Sequence, residues 1–347
     1  MGKNYYNERN YNNILKLQNL EKELPAFCSE FFLGIEPRTS VLTRLNYAYD
    51  LKIFLNYLSQ NIIDKDIKTI DINDLKKITQ TDLEKYLAYL AYYKDKNGKI
   101  HTNKEYSKAR RLASVRTLFK YFFNKDKLES NTAAKVDFPK IHEKEIIRLD
   151  ANEVADILDE SETGTDLSEH QKHYHSKTKI RDNAILTLFL GTGIRISELI
   201  GLNIDDIDFN SNAFTVIRKG GNSTILYFSD EVADALRRYL DERSSSPDLP
   251  QDESALFLSM QNRRISTKAV QNLVTKYARI ISPLKKITPH KLRSTFGTEL
   301  YRATGDIYVV ADVLGHRDVN TTKKHYAALD TEIRKNAARK VILRDNE

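Results

Sequence analysis

The feature that most constrains the fold of this chain is a single change in the spacing of its apolar residues. Nearly everywhere they recur every three or four positions, the period of a helix face. Between residues 206 and 230, in DIDFNSNAFTVIRKGGNSTILYFSD, they alternate instead. Asn/Ser and Gly-Gly pairs interrupt that stretch, so it predicts short antiparallel strands joined by hairpins. The expected fold class is therefore mainly α, with one small antiparallel β-sheet set among helices.

Three strong helices precede the sheet. SVLTRLNYAYDLKIFLNYLSQ (40–60) puts Tyr47, Ala48, Leu51, Phe54, Leu55 and Leu58 on one face, and TQTDLEKYLAYLAYY (79–93) opens on a Thr/Asp cap. NKEYSKARRLASVRTLFKYFFNK (103–125) turns Leu112, Val115, Leu118, Phe119 and Phe122 inward, and its other face is basic. From His101 to Lys127 there are eight Lys/Arg against two acids, which makes Lys108, Arg110, Arg111, Arg116 and Lys120 candidates for meeting a polyanion. Residues 130–150 show no period and read as an exit and linker. The expected layout is a lead-in at 1–25, an all-helical domain at 26–137, a linker at 138–150, a mostly helical domain at 151–329 and a tail helix at 330–347.

Within the second domain, SETGTDLSEHQKHYHSKTK reads as a polar loop, and IRDNAILTLFLGTGIRISELIGLN as two helices broken at Gly191 and Gly193. Helices follow the strands at 231–243, 267–281, 289–303, 306–313 and 321–328. A length of 347 residues suits two domains, and 40% hydrophobic with 30% charged residues describes a folded chain rather than a disordered one. The net charge of +7 and pI near 9.1 favour a polyanionic partner. The one cysteine, Cys28, excludes an internal disulfide framework. No apolar run approaches the ~18 residues of a membrane span, and MGKNYYNERN has no signal-peptide core. The expectation is an intracellular, soluble protein.

Four patches carry chemistry. In GTGIRISEL, Arg195 opens a helix after a Gly-Thr-Gly turn, where it can pair with Glu198 or hold an anionic ligand. In VIRKGGNS, Lys219 sits at a tight turn that lets backbone approach a ligand, although loop lysines are commonly just solvated. In TPHKLRSTF, Thr288 caps, Pro289 takes the first turn, and His290 and Arg293 lie three apart near the positive helix end, an anion site. In LGHRDVNTTKKHYAAL, His316 follows Gly315 and Tyr326 stands among cations, where its hydroxyl can be a structural donor or a nucleophile. His170, His173 and His175 are the one apparent metal cluster; their polar setting reads as a solvated loop, so no metal site and no cofactor are expected.

In this order GTGIRISELIGL, the hairpin lysine, HKLRSTF, LGHRDVNTT and the downstream tyrosine resemble the tyrosine recombinase (phage integrase) family. The resemblance covers 148–336 and extends through RLNYAYDLKIFLNYL and ARRLASVRTLFKYF to that family's helical core-binding domain. It is most like the Xer-type recombinases, particularly the single-recombinase type of Gram-positive bacteria. Ser294 stands where many members carry a second histidine. The step from His316 to Tyr326 is ten residues, as in some integrases of conjugative elements, where many Xer proteins have nine and His325 stands here.

The resemblance implies six catalytic residues, Arg195, Lys219, His290, Arg293, His316 and the nucleophile Tyr326. It also implies a 3′-phosphotyrosine intermediate formed without metal or ATP. The implied partners are double-stranded DNA with paired half-sites, a homodimer on one site, a homotetramer in the synapse and room for an accessory protein. The implied setting is the cytoplasm, on the nucleoid, in chromosome dimer resolution or mobile-element integration. Two rivals share these residues: a type IB topoisomerase-like enzyme that only relaxes DNA, and a DNA-binding regulator that has lost catalysis.

Overall fold

A computed structural model describes residues 3–95, 97–141, 147–218, 221–245, 253–316 and 319. The chain divides into two compact units that meet in sequence between Lys144 and Glu145.

The first unit contains α1 (Lys3–Glu21), α2 (Ala26–Ile35), α3 (Val41–Leu58), α4 (Ile72–Lys76) and α5 (Gln80–Ala91), then strands β1 (Tyr92–Lys94) and β2 (Ile100–Thr102), and α6 (Glu105–Phe123). Polar caps set the helix starts. Ser40 accepts from Thr43 N–H, and Asp71/Asp74 and Thr79/Asp82 form reciprocal capping boxes. The inward faces of α2, α3, α5 and α6 meet in one core, where Phe31, Phe54, Tyr86, Phe119 and Phe122 are fully enclosed.

Two features differ from expectation. The lead-in at 1–25 is largely helix α1, whose Leu17 and Leu20 join the core with Leu24. Its long polar front half hid that apolar edge. The domain is also not all-helical, because β1 and β2 pair antiparallel with Tyr93 opposite His101. Three-residue strands are too short to show a period. What fixes this hairpin is local: the Asp95 side chain accepts from Asn97 and Lys99 N–H, and the Tyr93 ring stacks on Tyr89 and His101.

The second unit runs through α7 (Ala151–Thr163), α8 (Glu169–Thr192), α9 (Ile196–Gly201), β3 (Ile207–Asp208), β4 (Ala213–Ile217), β5 (Ser223–Tyr227), α10 (Asp230–Ser244), α11 (Thr267–Ile281), α12 (Pro289–Thr304) and α13 (Ile307–Leu314). The expected sheet is present as an antiparallel β3-β4-β5 meander, with Phe214 opposite Leu226. Helix α8 is the centrepiece, packed by α7, α10 and α12.

The loop expected around His170, His173 and His175 is instead the first half of α8. A Ser168/Gln171 capping box starts it. No apolar period announced it because the face it buries is polar: His175, Thr178, Asp182 and Asn183. Gly191 lies inside the helix without breaking it, and the turn comes at Gly193, whose φ of 62° ends α8 in the left-handed region. A side chain at Gly193 would also overlap the Phe296 ring. The predicted helix at 321–328 and the tail helix at 330–347 lie outside the described residues.

Candidate active site

The site grows from three helix ends. Where α8 stops, Thr192 hydroxyl donates to Leu188 O at 2.6 Å, and the chain swings through Gly193 so that Arg195 becomes the N-cap of α9. Buried Glu198 then fixes Arg195 twice, taking its backbone N–H at 3.0 Å and its Nη1 at 2.8 Å. Nη2 donates to Leu314 O and Gly315 O, each at 3.0 Å. Of the two alternatives for Arg195, the pairing with Glu198 is the one the structure contains. The salt bridge to Glu198 and the two carbonyl bonds together fix the direction of the guanidinium.

Arg293 enters from the first turns of α12 and is only 4% exposed. Its Nη1 donates to Gly193 O at 2.5 Å and its Nη2 to Leu314 O. Leu314 O thus accepts from both arginines and holds them as a pair. Thr288 sits at the N-cap of α12 without a side-chain capping bond, Pro289 takes the first turn, and His290 is exposed one turn before Arg293. His316 follows α13, whose end is fixed by Gly315 at φ 58° and by His316 N–H donating to Ala311 O at 2.8 Å. Four of the six expected catalytic residues are therefore described; among them Arg195 and Arg293 meet the helix end that leads into His316. Lys219 and Tyr326 lie outside the described residues.

Sequence reasoning missed Arg218. From the end of β4 it donates Nη1 to Asp312 O at 3.2 Å and Nη2 to Val313 O at 2.7 Å. Burial lowers its pKa from the ordinary arginine value, with Glu198 and Asp312 opposing and Arg195 reinforcing the shift. A lone arginine in a hairpin gives no signal in sequence, since its targets are backbone carbonyls over ninety positions away. Glu198, which orients Arg195, appeared only as an alternative partner.

Among the described residues no group of three or more His, Cys, Asp or Glu is arranged to hold a metal ion. His175 is not solvated as expected: it is buried, with Nδ1 3.1 Å from Tyr277 Oη, which in turn donates to Asp182 at 3.2 Å. Burial pulls its pKa below the usual histidine value, and Lys276 adds to that. This is a packing device of α8 against α11.

On α6 the basic candidates divide. Arg110 forms a fork to buried Asp50, with both bonds at 2.6 Å, and Arg111 hydrogen-bonds Asn103. Lys108 pairs with Glu105 at 3.0 Å. Arg116 reaches the carbonyls of Ala134 and Val136 and lies 4.6 Å over the Phe138 ring. Lys120 is exposed and lines an open groove of about 950 Å³ with Arg38, Arg116 and Lys125. Arg110→Ala is therefore expected to lower stability by about 1–3 kcal/mol, as when a buried acceptor loses its donor. Lys120→Ala should leave the urea midpoint unchanged and weaken DNA binding. Equal midpoints for the two variants would remove this division.

Residues 147–332 match the family model described as the phage integrase family, and 30–125 match its N-terminal SAM-like domain. The chain belongs to the phage integrase, or tyrosine recombinase, family, whose enzymes cleave and religate DNA. It is 30% identical over 304 residues to the tyrosine recombinase XerC of Leptospira interrogans, covering 87% of this chain and 88% of that relative. In fold it is similar to the XerH site-specific recombinase bound to palindromic difH substrate, with a TM-score of 0.69 at 18% identity over 94% of this chain and 88% of that one. The Tn1549 transposon integrase in complex with circular intermediate DNA aligns with a TM-score of 0.64 at 19% identity, over 90% and 98% of the two chains. Among the described residues no helix is long and apolar enough to cross a membrane.

Proposed function

We propose that this chain is an Xer-like site-specific recombinase that exchanges strands between paired DNA half-sites through a 3′-phosphotyrosine intermediate. The observation that carries this is the convergence of Arg195 and Arg293 on Leu314 O, immediately before His316. Attack on a phosphodiester builds negative charge on its non-bridging oxygens, and paired guanidinium N–H groups meet that charge as a metal ion would. Tyr326 Oη forms the bond to phosphorus and its proton passes to a base, for which His290 is the candidate. The bond to the 5′ oxygen breaks as Lys219 delivers a proton to that oxygen, and His316 adds a further donor. The ester bond is conserved in the phosphotyrosine link, so a second 5′ hydroxyl reverses the step without ATP.

The expected setting is the cytoplasm, on the nucleoid, with a homodimer on each site and a homotetramer at synapsis. The tail at 330–347 would reach a neighbouring subunit in a head-to-tail ring. The resemblance to Xer-type recombinases favours a chromosome-resolution role. The ten-residue step from His316 to Tyr326 favours mobile-element integration as the second reading.

The target site comes first from trapping: a random duplex pool is incubated with the full chain, and the SDS-stable adducts are sequenced. A plasmid carrying two copies of the trapped site should then yield recombinant circles with the full chain. A chain ended after Leu329 should bind one half-site but give none. Relaxed circles alone would make this a topoisomerase, and absence of any adduct would make it a DNA-binding regulator.

A further inference from the structure

The hairpin that bears Lys219 is pinned at its stem. Arg218 closes the turn through its backbone, donating to Asn222 O at 2.8 Å and accepting from Gly221 N–H at 3.0 Å. The last strand pair, Ile217 opposite Ser223, lies just behind it. Here the Arg218 side chain leaves the sheet and donates to Asp312 O and Val313 O.

Asp312 O also accepts the Gly315 N–H at 2.8 Å, and Val313 O, Leu314 O and Gly315 O follow it at the end of α13, where helix carbonyls run short of intrahelical donors. Arg195 takes Leu314 O and Gly315 O, and Arg293 shares Leu314 O. One helix end therefore gathers three guanidiniums, each a rigid planar fork suited to adjacent oxygens. Space for the third is provided by Gly315, where any Cβ would overlap the Arg218 guanidinium.

We propose that Arg218 is a positioning residue for the recombination chemistry: by tying the hairpin stem to the end of α13, it anchors the chain one residue before Lys219 to the helix end that also holds Arg195 and Arg293. This rests on the reading of Lys219 as the general acid. It adds a mechanical link between the sheet and the helix that leads into His316.

The test uses the full chain and a nicked duplex of the trapped site, made with either oxygen or sulfur at the 5′ bridging position. A sulfur leaving group departs as a thiolate and needs no proton from the protein. Lys219→Ala should be slow on oxygen and normal on sulfur. Arg218→Ala should follow the same pattern, slowed about 10–100-fold on oxygen, as for a misplaced catalytic group, and restored on sulfur. Arg218→Lys keeps the charge but loses the fork; it should be intermediate on oxygen and normal on sulfur, and it carries the comparison if Arg218→Ala does not fold. Slow cleavage of both substrates by the Arg218 variants, with Lys219→Ala restored, would overturn the proposal and make Arg218 a support of the arginine pair. Failure of sulfur to restore Lys219→Ala would instead overturn the general-acid assignment, and the proposal with it.

Discussion

Tyr326→Phe is expected to bind the trapped duplex as tightly as the unaltered chain and to form no covalent adduct. The substitution removes one oxygen and keeps the ring. A neutral phenol contributes nothing to the phosphate charge contacts that dominate duplex affinity, so the gel-shift midpoint should not move. Adduct formation has no substitute route, because a 3′-phosphoryl enzyme needs a side-chain nucleophile in line with the scissile bond. Tyr326 closes a cationic run, Lys323, Lys324 and His325, which suits a hydroxyl that must ionise near neutral pH from an intrinsic pKa of ~10. An SDS-stable adduct persisting in Tyr326→Phe would remove this residue from the nucleophile's role.

The second large effect concerns the arginine pair. Arg195→Ala and Arg293→Ala should each slow strand cleavage by at least ~10²-fold, the usual consequence of deleting a charged transition-state donor. The two should differ in their side effects. Arg293 is buried and ties Gly193 O to Leu314 O, so its removal also strips donors from two carbonyls and loosens the packing of α12 on the end of α8. Arg195 is partly exposed, and its loss mainly leaves buried Glu198 without its guanidinium partner. Cleavage must therefore be read on the folded fraction, fixed by a melting curve for each variant. Arg293→Lys should fail nearly as badly as Arg293→Ala, since an ammonium lacks the planar fork that reaches both carbonyls. An unchanged cleavage rate in either alanine variant would take that arginine out of the site.

How much of this was legible depended on where each signal resides. Helix α11 was readable to its ends because Val270, Leu273, Val274 and Tyr277 form one apolar stripe behind a Ser266 cap. The first half of α8 was not, because its buried face is made of His175, Thr178 and Asp182: His175 Nδ1 meets Tyr277 Oη, and Asp182 accepts from Thr178 and Arg181 of its own helix and from Lys276 of α11. Helix α1 hid its Leu17 and Leu20 behind a polar front, and the β1–β2 hairpin was too short for any period.

The site divided in the same way. Arg195, His290, Arg293 and His316 stood out because cations and imidazoles beside helix ends are costly or purposeful wherever they occur. The role of Arg218 lies in a geometric relation between a hairpin and a helix terminus, and Arg110 reads in sequence as a surface cation although buried Asp50 lies beneath it. Local period and capping reveal elements; buried polar pairing between distant elements does not show in any window of sequence.

The most direct test of the central claim is the chemical identity of the covalent link. A nicked duplex of the trapped site is incubated with the full chain in EDTA, the adduct is digested with protease and nuclease, and the nucleotide-bearing peptide is located by mass spectrometry. The account predicts an adduct that forms at its full rate in EDTA, disappears on proteolysis and carries its 3′-phosphoryl group on Tyr326. A strict requirement for a divalent metal, or a phosphoryl group on His325 or any other residue, would contradict it.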